Sequence, residues 1–181
     1  MPTSKSTSTK SSSSKSASHG KTTSQPEAVK LLVKDHREVS KLFKAYQKLV
    51  KDEAPADEKT ALVQEICTML KVHTMIEEEV FYPVARELVE QDMVDEAVVE
   101  HASAKDLISQ IEAMQPDEEL YDAKVTVLGE YIEHHVKEEE EEMFPKIVKA
   151  RSDVDFDELG EQMSARKEEL MAEMGADGAV H

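Results

Sequence analysis

Two stretches of the chain carry the same chemically active side chains. His73-Thr74-Met75-Ile76-Glu77-Glu78-Glu79-Val80-Phe81-Tyr82-Pro83 is matched by His135-Val136-Lys137-Glu138-Glu139-Glu140-Glu141-Glu142-Met143-Phe144-Pro145. In each, a histidine is followed by a glutamate four residues on, by further acid, by two large apolar side chains, and by a proline ten residues after the histidine. Positions i and i+4 share a helix face, so each stretch presents an imidazole beside a carboxylate. Two such faces turned towards each other carry the donors of a metal site.

Two more histidines join them by position. His36 precedes His73 by 37 residues and His101 precedes His135 by 34. His36 lies on a stripe with Leu32, Val33, Val39 and Phe43, and His101 lies between Ala97 and Ala104. The chain thus reads as two halves, each a helix with one histidine followed by a helix with His-x-x-x-Glu. Packed as an up-down-up-down four-helix bundle, these halves bring His36, His73, Glu77, His101, His135 and Glu139 together. Facing helices of a bundle are the usual place for a metal.

Taken singly, each feature has a plainer explanation. A lone histidine on an apolar stripe is more often a packed core residue, and a run such as Glu138 to Glu142 is usually a solvated face. Two copies with one proline offset, plus two stripe histidines in the right helices, argue against coincidence. Glu77 interrupts an apolar stripe, where a carboxylate is costly unless paired or bound to a cation. Within the second acidic run, Glu139 shares the stripe and the proline offset of Glu77, with Glu140 as its competitor.

Four imidazoles and two carboxylates exceed a tetrahedral zinc site and point to two ions that the carboxylates bridge. Mixed imidazole and carboxylate ligation suits iron, with manganese or zinc as alternatives. Six protein ligands leave positions open on two octahedral ions. Oxygen, peroxide or nitric oxide could take them.

The elements that position these residues are all helical. Glycine and proline are scarce and tryptophan is absent, which favours helices. Helices are predicted over about 27–51, from Asp57 past His73 with a kink at Pro83, over 92–114, and over 118–150. A fifth, amphipathic helix is predicted over 156–174. Residues 1–25 are mostly Ser, Thr and Lys and are expected to be disordered. The bundle then spans 26–151, and 152–181 holds the extra helix and a frayed end. His19 and His181 fall in the two ends and are not expected to be ligands.

Charge and targeting signals narrow the function. The first 25 residues hold four of the 22 basic residues and no acid, leaving 18 basic against 39 acidic residues, a net of −21. So acidic a body repels phosphate backbones, and no nucleic-acid partner is expected. The sequence has no apolar run of about 18 residues, so no membrane partner is expected. With no secretory signal and a single cysteine, Cys67, a cytoplasmic location is expected, as a monomer or small homo-oligomer.

The residues above resemble the hemerythrin-like (HHE cation-binding) domain. The resemblance covers about residues 27–150 and rests on His36, His73-x-x-x-Glu77 with Phe81-Tyr82-Pro83, His101, and His135-x-x-x-Glu139 with Phe144-Pro145. It implies that His36, His73, His101 and His135 are ligands to two non-haem iron ions and that Glu77 and Glu139 bridge them. The oxygen carriers of the family have a second histidine one turn after the third-helix ligand, where this chain has Lys105. That departure moves the expectation from reversible oxygen carriage to sensing, scavenging or redox handling of oxygen, peroxide or nitric oxide. Lys105 and Tyr131 are candidate proton donors by helical position. Ferritin-like proteins use Glu-x-x-His, and no histidine here has a glutamate three residues before it. The alternative function is a module that buffers iron or another divalent metal without turnover.

Overall fold

The computed structural model describes residues 25–150 and 153–177. The disorder expected of the first 24 residues, and the places of His19 and His181, lie outside that range.

The described residues form helices and connecting turns, with no strand among them. Helix α1 (Glu27–Lys51) follows Pro26 and buries Leu32, Val33, His36, Val39, Phe43 and Tyr46 at three- and four-residue steps. Helix α2 (Ala56–Ile76) continues through a π turn (Glu77–Phe81) into α3 (Tyr82–Leu88). Helix α4 (Gln91–Glu112) is followed by α5 (Tyr121–Glu138), a second π turn (Glu139–Met143) and α6 (Phe144–Ala150). These four rods make the bundle, with α1 against α2 and α5, and α4 against α5, α2 and α3. Helix α7 (Phe156–Asp177) packs on α1 and α2.

Pro83, where a kink is expected, and its counterpart Pro145 each follow a widened turn that lies one turn upstream. Pro83 and Pro145 have no amide hydrogen to give the carbonyl four residues back. The chain instead widens: the Tyr82 amide donates to the Glu77 carbonyl, and the Phe144 amide to the Glu139 carbonyl, five residues back in each case. The π turns therefore begin on the two glutamates singled out by spacing, a recurrent place for such turns in functional sites. The fourth rod starts at Tyr121 rather than near 118, because Leu120 adopts a left-handed conformation (φ 75°) that ends the preceding turn.

The apolar core is in two parts. One is centred on Leu32, Ile76, Phe81, Phe144, Ile147 and Met163, the other on Tyr46, Ile66, Ile108, Ile111 and Leu128. Between them runs a belt of buried histidine and acid. Gly160 lets α7 sit on α1: a Cβ there would meet the Ala28 nitrogen and the Glu27 Cβ at 3.0 Å.

One polar tie clamps the end of the bundle remote from the belt. Asp122 accepts the Tyr46 hydroxyl (2.6 Å) and the Lys59 ammonium (2.8 and 2.9 Å). Burial raises the Asp122 carboxyl, but Lys59 and Tyr46 outweigh it and hold the group below its ordinary value. A lowered folded pKa means that the stabilisation is present above the unfolded value of about 3.9 and is lost as pH falls through the folded one. Asp122→Ala leaves the buried Tyr46 hydroxyl without this acceptor and should lower the unfolding free energy by about 1–2 kcal/mol at neutral pH. Urea melts at pH 7 and pH 3 check this, because the deficit should shrink in acid.

Candidate metal centre

All six side chains selected by spacing meet in the buried belt. Their relative exposures run from 0 % for Glu77 to 7 % for His73. Two overlapping groups could each hold an ion: His36, His73, Glu77 and Glu139, and Glu77, His101 and His135. Glu77 belongs to both.

The Nε2 atoms face inwards in pairs, His36 and His73 at 3.1 Å and His101 and His135 at 3.1 Å. Two nitrogens about 2.1 Å from one ion and at right angles would stand about 3.0 Å apart, so this spacing fits cis ligands. The carboxylates complete the ring. Glu77 Oε2 lies 3.2 Å from His73 Nε2 and 3.3 Å from His101 Nε2, while Glu139 Oε2 lies 3.3 Å from His36 Nε2 and 3.6 Å from His135 Nε2. Even so, both oxygens of Glu77 and the Oε2 of Glu139 have no hydrogen-bond partner among the described residues. Buried carboxylate oxygens in that state are costly. Unpartnered carboxylate oxygens crowded against paired imidazole nitrogens suit a cation between them.

The outward nitrogens show a second pattern. His36 Nδ1 is 2.9 Å from Glu140, His101 Nδ1 is 2.9 Å from Glu78, and His135 Nδ1 is 2.6 Å from Glu100. His73 Nδ1 faces Asp35 at 3.6 Å, too far for a hydrogen bond. A carboxylate at Nδ1 keeps a proton there and leaves the Nε2 lone pair pointing inwards, the arrangement around metal-bound imidazoles. The pattern has an approximate two-fold relation. Asp35 and Glu100 each precede a histidine of the set, and Glu78 and Glu140 each follow a glutamate of it. Glu140, the competitor of Glu139, thus serves His36 from outside the donor ring.

Without a cation, protons fill the gap. Burial pushes His36 down, but Glu139 and Glu140 overcome it and raise the imidazole to about 10. Burial likewise opposes Glu77 and Glu78 at His101, which is raised to about 9. Facing Nε2 atoms in each pair can then share a proton, and an incoming cation displaces it.

Several side chains depart from their expected places. Lys105 does not face the centre: its ammonium pairs with Glu78 at 2.7 Å, behind His101. Tyr131 is 41 % exposed and stands outside the site. The hydroxyl at the centre is that of Tyr82, buried, donating to Glu139 Oε1 at 2.9 Å and lying 3.2 Å from His101 Nε2. Burial, with Glu139 and Glu77 beside it, pushes the phenol well above its ordinary range and keeps it a neutral donor. Helix α7 reaches the centre from outside, since Lys167 pairs with the buried Asp35 and Arg166 with Glu79.

Three cavities touch the donors, one of them a groove of about 200 Å³ between α1 and α5 that reaches His36. A small one, about 10 Å³, is lined by the four histidines with Val39, Leu70, Ile132 and Val136. A larger one, about 360 Å³, lies between α4 and the α5–α6 rod and reaches His135 and Glu139.

Comparison with known proteins agrees with this geometry. The family model for the hemerythrin HHE cation binding domain matches residues 27–147. A DNA nickase from Nostoc sp. is 27% identical over 106 residues, covering 59% of this chain and 30% of that protein, so the chain spans less than a third of its length. The crystal structure of a hemerythrin HHE cation binding domain-containing protein from Mycobacterium kansasii is similar with a TM-score of 0.68 and 27% identity, over 81% of this chain and 88% of that one. The family match spans both halves of the repeat and all six central side chains, and the chain therefore belongs to the hemerythrin HHE cation-binding family.

Proposed function

We propose that the chain is a non-haem di-iron protein that binds or reacts with oxygen, peroxide or nitric oxide. His36, His73, His101 and His135 would hold the ions, bridged by Glu77 and Glu139. The observation that carries this reading is the sharing of Glu77 between two donor groups, with its two buried oxygens lacking other partners. A bound iron pair would supply one-electron redox chemistry and open coordination positions to a small oxidant.

The chain's own residues set what reaches those positions. The small cavity among the histidines has room for about one water-sized molecule. Its apolar wall of Val39, Leu70, Ile132 and Val136 favours small uncharged ligands over ions. Tyr82 fixes the Glu139 carboxylate through its hydroxyl and is the nearest neutral donor to the centre. Lys105, tied to Glu78, adds no ligand where the family's oxygen carriers have a histidine, which supports sensing or redox handling over reversible carriage.

A second reading, metal buffering without turnover, is favoured by the acidic lining of the larger cavity. Loading with ferrous iron under anaerobic conditions, followed by air, separates the two. The di-iron reading expects two irons per chain and the absorption of a coupled ferric pair that changes on adding azide or peroxide. Iron that binds but leaves no ligand-sensitive spectrum would overturn it in favour of buffering. A nucleic-acid role, which the nickase likeness raises, is opposed by the net charge of −17.

A further inference from the structure

The two-fold relation between the halves breaks down on the outer faces. In the first half, the positions flanking the donors are apolar: Leu31 on α1, Val72 and Ile76 on α2, and Val80 and Val84 beyond. All five join the cluster that holds Phe156, Leu159 and Met163 of α7. In the second half the corresponding positions are Glu96, His134, Glu138, Glu142 and Lys146. No helix of the described residues covers them. Instead the large cavity opens there, with Glu90, Glu96, Glu100, Glu138 and Glu142 in its wall and Lys146 as its one base.

The cavity floor is the centre itself. His135 and Glu139 line it, and Glu139 is 1 % exposed with its Oε2 unpartnered. At its rim, Glu100, His134 and Glu138 bring one ligand atom each to within 4.8 Å of one another. His134 and Glu138 repeat the His-x-x-x-Glu spacing one residue out of step with His135 and Glu139. One residue is about 100° around a helix, so the second pair faces outwards, and His134 Nε2 lies 3.2 Å from Glu138 Oε1. Glu100 joins rim to floor, because its Oε2 also lies 2.6 Å from His135 Nδ1.

We propose that this cavity is the path by which divalent cations reach the centre, and that Glu100, His134 and Glu138 form an outer station that holds a cation before it passes to His135 and Glu139. The proposal rests on the metal-binding reading of the centre. The other approaches suit a cation poorly. The small cavity, about 10 Å³, is closed around the histidines by Val39, Leu70, Ile132 and Val136, the groove between α1 and α5 that reaches His36 sets Lys44 against Glu130 and Glu133, and the α7 side presents Arg166 and Lys167. An acid-lined cleft with low-dielectric walls concentrates cations and raises their association rate by ten-fold or more. Imidazole with two carboxylates at the rim adds a preference for transition-metal ions over calcium or magnesium.

The test is the rate of cobalt(II) uptake by the full-length chain, stripped of metal with a chelator and followed by visible absorbance after rapid mixing. The triple variant E96Q/H134A/E138Q should load about ten-fold more slowly than the parent at low salt. With cobalt limited to two equivalents per chain, its final cobalt content and final spectrum should match the parent, and the difference in rate should shrink at high ionic strength. The double variant E130Q/E133Q removes the same number of acids from the groove between α1 and α5, the competing route that ends on His36, and should load at the parental rate. Equal rates for the triple variant and the parent, or equal slowing in both variants, overturn the access path while leaving the centre intact. A parent chain that takes up no cobalt overturns the reading of the centre and the path with it.

Discussion

Glu77→Gln should abolish metal binding at both positions while leaving the metal-free protein folded. Glu77 is the one side chain common to both donor groups. It is fully buried, and neither of its oxygens has a hydrogen-bond partner among the described residues. A neutral amide of the same shape cannot bridge two cations, so neither group is completed. In the parent, saturating metal should add about 4 kcal/mol of stability at a thousand-fold excess over Kd; in the variant this increment should vanish. In the metal-free protein Glu77 lies 3.2 Å from His73 Nε2 and 3.3 Å from His101 Nε2, so its loss removes a desolvation cost and an ion pair together, and the variant treated with chelator should remain folded. His73→Ala gives the contrast, because it interrupts only the His36, His73, Glu77 and Glu139 group and should retain about half the metal. Metal analysis and thermal melts, each with metal and with chelator, read these effects. A Glu77→Gln protein that keeps a full complement of metal sinks the shared-ligand assignment. One that is unfolded with chelator makes Glu77 a structural residue.

The second large effect lies on α7. Lys167→Met should lower the unfolding free energy by about 3 kcal/mol, the lower end of the cost of stripping a buried ion of its partner. Asp35 is 2 % exposed, and Lys167 is its one cationic partner of fixed charge. Burial alone would raise the Asp35 carboxyl, but His73 and Lys167 together hold it below its ordinary value. Methionine keeps the aliphatic stem that packs on the bundle and removes only the charge. Combining the change with Asp35→Asn should restore most of the stability, since the double variant leaves no buried charge unpaired. Urea denaturation of the single and double variants makes the measurement, and a double variant no more stable than Lys167→Met would locate the effect in α7 packing instead.

The six central side chains were legible because helical spacing is local: His73 with Glu77 and His135 with Glu139 are fixed by i, i+4, and His36 and His101 by their stripes. The four outer carboxylates were not. Asp35, Glu78, Glu100 and Glu140 sit directly beside a chosen residue, where a helix turns a side chain about 100° away, and in so acidic a chain they look like solvent-facing charge. Their role depends on contacts between helices 23 to 104 residues apart in sequence. Tyr82 was visible as part of a motif, but its reach to Glu139 needs the π turn that precedes it. Lys105 illustrates the opposite error. Helical position makes it a candidate donor to the centre, yet its long flexible side chain turns to the carboxylate of Glu78.

The crossed pairing around the histidines reaches beyond the metal. His36 of the first half depends on Glu140 of the second, and His101 of the second on Glu78 of the first. The two halves also share the central carboxylates, since Glu139 completes the first group and Glu77 the second. In symmetry terms the centre is an isologous interface: patch meets equivalent patch across a two-fold axis, here joined into one chain by the α3–α4 connection. Neither hairpin alone owns a finished donor group, so a bound ion would act as a clasp between the two halves.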